Sequence, residues 1–492
     1  MNTFLNEMES VLSNKLTENG AVTYSSSLNK VLDLFALGGS YRSRADADIV
    51  SLFNSAYVEN KELAVVCLFY LRDVRGGQGE RRFFRVVLEK SIDMFISDFG
   101  REKTYKLLKL VSEYGRWDDL LCILEKSDLV VAIIKEQLEK DILECAKKAP
   151  KNISLLAKWL PSVNTSSADT RKKAQYIAAK LGMSEKKYRK TLSMLRSELN
   201  ILEKDMSTNS WSIVDYEKVP SQAMIKHRKA FARHDEERYT EYKAEVASGE
   251  KKVNTSTLYP YQIVDKLLSD SIEGTDAEML WNNLPNYAPS GMSAIAVVDV
   301  SGSMYSGSPT AVSVSISLGL YLAQKNTGAF AGKFITFSAR PQLVSVDTKG
   351  SVVDAVHSMD QAEWGYNTNL NAVFDVFLRA ATASGVAKKD IPNTIMIISD
   401  MEFDSACGMT NYELAKSKFK DVGIEMPNVV FWNVAARNNT IPVRKDEHGT
   451  ILVSGFSPVT FRYVVEGTTP EQFMLDVLGK ERYKAVVNVL IG

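Results

Sequence analysis

The 492-residue sequence predicts an α-helical repeat array followed by an α/β doubly wound domain, and three observations lead there. From residue 1 to about 285, apolar residues recur three or four apart, the spacing of a helix face. Beyond about 288, short and wholly apolar strands alternate with helix-length stretches, the grammar of a parallel sheet covered on both faces. Between the two lies Pro285-Asn-Tyr-Ala-Pro-Ser-Gly291, whose turn chemistry sets the expected boundary, 1–288 against 289–492.

The helical half is clearest in Lys61–Leu71, Arg82–Phe95 and Val130–Cys145, separated by short Gly, Asp or Pro breaks. Many consecutive helices of this length predict paired helices stacked as in a solenoid, although no fixed repeat period is present. In the second half, Ala294-Ile-Ala-Val-Val298 reads as a strand buried on both faces, and Ala311–Ala323 as the helix after it. Lys333–Ser338, Thr394–Ser399 and Asn428–Val434 are the further strands. Near the end, Thr469 before Pro470 predicts a helix N-cap with proline in the first turn.

Hydrophobic content of 45% and charged content of 24% are those of an ordinary globular protein. No apolar stretch is of membrane length, and Met1–Met8 lacks a basic-then-apolar leader. Cys67, Cys122, Cys145 and Cys407 have no metal-type spacing and read as reduced thiols, so the expected setting is the cytoplasm. The chain carries 60 basic and 60 acidic residues; residues 291–492 hold 17 and 19 of them. A uniform positive field is thereby excluded, and any polyanion must bind to local clusters. There are four histidines, with no nucleophile elbow, phosphate loop or paired His/Cys motif, so catalysis is not expected.

The run after the first strand is Asp299-Val-Ser301-Gly-Ser303. One carboxylate and two hydroxyls thus stand on a strand-to-helix loop at the carboxyl end of a strand, where open α/β sheets bind ligands. Hard oxygen donors of this kind suit Mg²⁺ (or Mn²⁺). The competing reading is that Asp and Ser merely cap the next helix. Two later segments add donors: Trp364-Gly-Tyr-Asn-Thr-Asn-Leu370 offers Thr368, and the strand Thr394–Ser399 ends in Asp400. Together these resemble the metal-ion-dependent adhesion site of the von Willebrand factor A domain, a Rossmann-like fold. The resemblance implies a metal held by Asp299, Ser301, Ser303, Thr368 and Asp400, with an open position for an acidic group from a partner. In that family the threonine follows glycine directly and the second aspartate is followed by glycine. Here Tyr366 and Asn367 intervene after Gly365, and the text after Asp400 is Met-Glu-Phe-Asp404. Hydroxyl-rich ligation favours holding an acidic ligand over activating water for phosphodiester hydrolysis.

Basic residues gather in three places. The turn Gly76-Gly-Gln-Gly79 groups Arg72, Arg75, Arg81 and Arg82, whose guanidinium groups suit phosphates and unpaired bases. Arg171–Lys190 carries eight basic residues against Glu185, among them Lys172, Lys173, Lys186, Lys187, Arg189 and Lys190. Lys226, Arg228 and Lys229 form the third group, with Arg233, Tyr239 and Tyr242 nearby. The competing reading for the arginines is a network that staples helices through Asp73, Glu80, Asp118 and Asp119.

The segment Leu71-Arg-Asp-Val-Arg-Gly-Gly-Gln-Gly-Glu-Arg-Arg82 resembles an element of the TROVE module, the RNA-binding helical ring of the Ro autoantigen and of related telomerase and vault proteins. Tyr114–Leu120 and Tyr188–Arg196 resemble two more of its pieces. A closer likeness is to an uncharacterised family of viral, phage and plant proteins, in which Ala157–Ser162 and Val219–Ala223 also recur. These resemblances imply a HEAT-like helical ring followed by a von Willebrand factor A domain. They imply a cytoplasmic ribonucleoprotein component holding single-stranded or structured noncoding RNA, with an Mg²⁺-dependent docking site for a protein carboxylate and no membrane partner. The alternative is a metal-dependent protein-interaction or assembly factor that binds no RNA.

Overall fold

The computed structural model describes residues 8, 11–199, 201–338, 340–360, 368–405 and 408–492. It divides the chain into two compact units. One is Met1–Phe83 with Thr255–Lys484; the other is Phe84–Asn254 with Ala485–Gly492. The contact division therefore falls at 83/84 and 254/255, not at the expected 288/289.

The α/β unit is built on a six-stranded sheet. A hairpin of β1 (Asn14–Leu16) and β2 (Val22–Tyr24) precedes it in the chain. The sheet comprises β3 (Ala294–Val298), β4 (Lys333–Thr336), β5 (Leu343–Ser345), β6 (Thr394–Ser399), β7 (Asn428–Asn433) and β8 (Thr450–Ser454). Its order is β5-β4-β3-β6-β7-β8, parallel except for the edge strand β5. Strands β3, β6 and β8 are buried at every position, as their apolar centres require. This is the doubly wound order, and its switch point, where ligands bind such sheets, lies between the carboxyl ends of β3 and β6. The helix Ala311–Lys325, buried from Ala311 to Ala323, links β3 to β4.

Helices that read as part of a separate array pack around this sheet instead. Lys61–Arg72 is buried from Ala64 to Arg72, too apolar all round for a helix with a wet face. Lys30–Leu37 seats on β8: Ser454 Oγ donates to the Phe35 carbonyl at 3.0 Å and accepts from Gly39 N at 3.0 Å. A Cβ on Gly39 would stand 2.7 Å from the Ser454 carbonyl, so only glycine permits that approach. Phe35 stacks on Tyr70 at 4.9 Å, and Tyr70 meets Tyr483 edge-on at 6.0 Å. Trp281 Nε1, on the helix Gly274–Asn282, donates to Gln324 Oε1 at 2.6 Å. Periodicity distinguishes a helix from a strand but not which core a helix joins.

The helical unit contains most of Arg81–Tyr114, broken at Gly100 (φ +80°), then Asp128–Ala146, Ala168–Lys180, Glu185–Glu198, Ser221–His234 and Glu236–Ser248. Arg85 pairs with Asp118 and Asp119, and Arg116 pairs with Asp118 while its guanidinium lies 3.9 Å from the Trp159 ring centroid. Arg196 donates to the carbonyls of Ala157 and Leu160 and to Ser162 Oγ, pinning that peptide to its helix. Lys103 Nζ reaches the Leu490 carbonyl, so the last residues of the chain return to this unit. Among the described residues no helix is long and apolar enough to cross a membrane.

Asp73, fully buried in the α/β unit, accepts hydrogen bonds from the Arg482 guanidinium, the Tyr483 hydroxyl and Arg75 N. Arg482→Ala should therefore leave a buried carboxylate uncompensated and cost about 3 kcal/mol or more, read as a lower denaturant midpoint.

Candidate functional site

Asp299 follows β3 directly, its backbone still in the ladder through the bond from its N–H to the Ile398 carbonyl at 3.1 Å. Its side chain is fully buried. Oδ1 accepts from Ser301 N at 2.9 Å and Oδ2 from Ser399 Oγ at 2.6 Å. The Ser301 and Ser303 hydroxyls lie 3.1 Å apart. Ser301 stands at the N-cap of the short 3-10 helix Gly302–Tyr305 without a side-chain cap bond, and the helix Ala311–Lys325 is capped by Thr310, which accepts from Ser313 N. Side-chain capping therefore does not account for Asp299-x-Ser301-x-Ser303.

Asp400 follows β6 and is 1% exposed. Its Oδ1 accepts from Glu402 N at 3.2 Å. Its Oδ2 accepts from Arg437 Nε at 3.2 Å and Nη2 at 3.0 Å. Met401 takes φ +66°, a left-handed backbone disfavoured for a bulky side chain. The sequence resemblance would place glycine at this position. Burial, and secondly the charge of Asp400, push the Asp299 carboxyl up to about 7 against the hydrogen bonds from Ser399 and Ser301.

Two buried carboxylates at the switch point, with two hydroxyls beside one of them, fit a hard dication such as Mg²⁺ or Mn²⁺ in donor chemistry and in unbalanced charge. Among the described residues no three His, Cys, Asp or Glu side chains gather as a metal set, so these mixed donors are the candidate. Thr368 is bonded to the loop that follows Asp400. Its hydroxyl donates to the Glu402 carbonyl at 2.8 Å, lies 3.2 Å from Asp404 Oδ1 and accepts from Asn19 Nδ2 at 3.1 Å. No hydrogen bond among the described residues joins it to Asp299, Ser301 or Ser303; Trp364–Asn367, and Cys407, lie outside those residues. Glu402 is buried and spent on Thr440 and Glu18 N.

The hairpin lies along these same loops. Thr17 Oγ1 donates to the Phe403 carbonyl at 2.7 Å, and Asn19 Nδ2 to the Glu402 carbonyl at 2.7 Å. Bridges pair Gly20 with Asp404, Val22 with Thr410 and Tyr24 with Ile441. Glu18 Oε2 lies 2.7 Å from Arg437 Nη2, and its Oε1 accepts from Asn438 Nδ2 at 2.8 Å.

The three basic groups fare differently. In the α/β unit, Arg72 is buried and Arg82 is spent on Asp46 and the carbonyls of Arg42 and Arg44. Burial gives Arg72 a structural role, whereas the Arg82 side chain stays partly exposed; Glu80 holds Arg42. Arg75 and Arg81 are exposed. In the helical unit, Lys172, Lys186, Lys187, Arg189 and Lys190 are exposed, and Lys173 pairs with Asp169 along its own helix at 3.0 Å. Ser184, Lys186, Lys187, Lys190, Thr191 and Met194 line a shallow open hollow. Lys226 and Lys229 are exposed, whereas the Arg228 guanidinium turns back to the Ile225 carbonyl. Tyr239 and Tyr242 are buried against Tyr216, so neither is available to stack on a base. The residues of the helical unit number 33 basic against 26 acidic, and those of the α/β unit 27 against 34.

Two domain families of unknown function match the chain, DUF2828 over residues 127–285 and DUF7788 over residues 293–484. Uncharacterized protein L728 of Acanthamoeba polyphaga mimivirus is 30% identical over 94% of this chain and 86% of its own length. The chain belongs to the L728 family. Among solved structures, the Ro (RSR) protein of Deinococcus radiodurans covers 92% of this chain and 100% of its own at 12% identity and a TM-score of 0.39. That likeness is too slight to argue from.

In this L728-family chain, sequence reasoning missed Arg437, Glu18 and Asn19. No spacing connects them to Asp299, and a three-residue strand in a polar stretch gives no periodic signal. The raised Asp299 carboxyl sets a pH dependence. A buried group whose neutral form is preferred contributes stability at low pH that is lost as pH rises through its folded value. Metal-free protein should thus lose stability between about pH 4 and pH 7. Asp299→Asn should raise the melting temperature in chelator at pH 8 and leave it nearly unchanged at pH 4.

Proposed function

We propose that this protein binds RNA on its helical unit and holds Mg²⁺ or Mn²⁺ on its α/β unit as a docking point for an acidic group of a protein partner, without catalysis. The observation that carries the RNA reading is the surface of the helices Ala168–Lys180 and Glu185–Glu198. There Arg171, Lys172, Lys180, Lys186, Lys187, Arg189 and Lys190 are exposed, and Asp169 and Glu185 are the acids on the two helices apart from Glu198. A surface with so many unneutralised cations favours a polyanion, because phosphate contacts release condensed counterions. The TROVE-like motifs support the same class of ligand. Single strands are favoured over blunt duplex, whose A-form grooves hide the base edges.

On the α/β unit Asp299, Ser301 and Ser303 would hold the ion, with Asp400 beside them. A bound dication supplies the positive charge that takes a ligand carboxylate. The residues of the site do the rest: Ser399 and the Ser301 N–H orient the Asp299 carboxylate, and burial excludes water.

For the RNA reading, the full chain should bind a fluorescent single-stranded oligoribonucleotide with log affinity falling by roughly 0.7 per phosphate contact as log salt rises. Changing Lys186, Lys187, Arg189 and Lys190 together to Glu should cost at least tenfold in anisotropy titrations. Equal binding by that variant would remove the RNA reading and leave the assembly-factor alternative. For the metal reading, calorimetry should show Mn²⁺ binding that Asp299→Ala abolishes. RNA and nucleoside triphosphates incubated with the loaded protein should stay intact, and turnover sensitive to Asp400→Ala would overturn the non-catalytic assignment.

A further inference from the structure

Arg437 departs from what an adhesion-type metal site needs. A dication drawn to Asp299 and Asp400 meets a guanidinium already hydrogen-bonded to Asp400 Oδ2 through Nε and Nη2. That guanidinium is not a buried fixture. Its side chain is 32% exposed, whereas the Asp400 side chain is fully buried, so the arginine has an exit to water and the aspartate has none. Its backbone is fixed, because the Arg437 carbonyl accepts from the Arg44 guanidinium and Arg437 N donates to the Ala435 carbonyl at 2.8 Å. The mobile part is therefore the side chain alone.

A second partner waits for it. Glu18 Oε2 lies 2.7 Å from the same Nη2 that reaches Asp400, and Asn438 Nδ2 steadies the other Glu18 oxygen. Glu18 stands at the tip of the β1–β2 hairpin, which Thr17, Asn19 and Gly20 fasten to the loop after β6. Arg437 is thus shared between a buried carboxylate of the candidate site and an exposed one on the hairpin. Moving entirely to Glu18 would clear Asp400 without leaving the guanidinium unpaired.

Resting on the metal reading above, we propose that Arg437 is a resident counter-cation that competes with the dication for Asp400, and that Glu18 is the positioning residue that draws it aside. With no metal bound, the guanidinium balances Asp400. When a dication binds, like-charge repulsion at a few ångströms in a poorly hydrated site pushes Arg437 onto Glu18. The hairpin then sets how readily the site is filled.

The test is Mn²⁺ titration of the full-length protein by calorimetry and by electron paramagnetic resonance of free Mn²⁺. Arg437→Gln should tighten binding by about tenfold or more, because it removes a positive charge adjoining the ion. Arg437→Lys keeps the charge and should stay near wild type. Glu18→Gln, at an exposed position that should not perturb folding, should weaken binding several-fold, since it removes both a negative charge and the second seat for Arg437. In the Arg437→Gln background the Glu18→Gln effect should shrink, which separates the shared guanidinium from a general field effect. Binding by wild type with Arg437→Gln equal or weaker overturns the proposal and leaves the metal reading intact; so does an undiminished Glu18→Gln effect in the double variant. If Arg437→Gln does not fold, unchanged or tighter binding by Glu18→Gln overturns it alone. Absence of Mn²⁺ binding in every form, Arg437→Gln included, instead removes the metal reading itself.

Discussion

Parallel strands fix where charge accumulates in this molecule. Pairing of Val298 with Ile398 brings the carboxyl ends of β3 and β6 level, so that Asp299 and then Ser399 and Asp400 emerge side by side at the switch point. Both aspartates are cut off from water. Everything around them answers that constraint: the Ser399 hydroxyl and the Ser301 amide face Asp299, while Arg437 and the Glu402 amide face Asp400. Two buried like charges are costly unless something positive or a proton stands between them. The fold meets part of that cost with an arginine and leaves Asp299 to find a proton or an ion.

The α/β half was legible because its signals are local. Unbroken apolar runs of four or five residues identify β3, β6 and β7, and an aspartate just after each of the first two marks where a ligand would sit. The loop donors Asp299, Ser301 and Ser303 follow from three consecutive alternate positions. The surroundings of Thr368 were not legible, since its hydroxyl bonds to Asp404, the Glu402 carbonyl and Asn19, and Asn19 lies 349 residues away in the chain.

The arginines after Leu71 show the opposite failure. A Gly-rich turn studded with guanidinium groups looks the same in sequence whether the groups face solvent or acids. The acids at Asp73, Glu80 and Asp46 decide it, and they are matched by Arg482, Arg42 and Arg82. Those partners lie 409, 38 and 36 residues away along the chain, so no local pattern announces them. Where acids are sparse, along Arg171–Lys190, the side chains do stand exposed.

A net charge of zero hides an uneven distribution between the two units, seven excess positive charges on one and seven excess negative charges on the other. In colloidal terms the chain is a polyampholyte with segregated blocks, not a neutral particle. Two copies in dilute salt can therefore attract each other, unlike block to unlike block, with no apolar surface involved. That attraction fades as the Debye length falls from about 30 Å at 0.01 M to about 10 Å at 0.1 M salt. Solubility should accordingly rise with added salt in the dilute range, the reverse of what an apolar association would give.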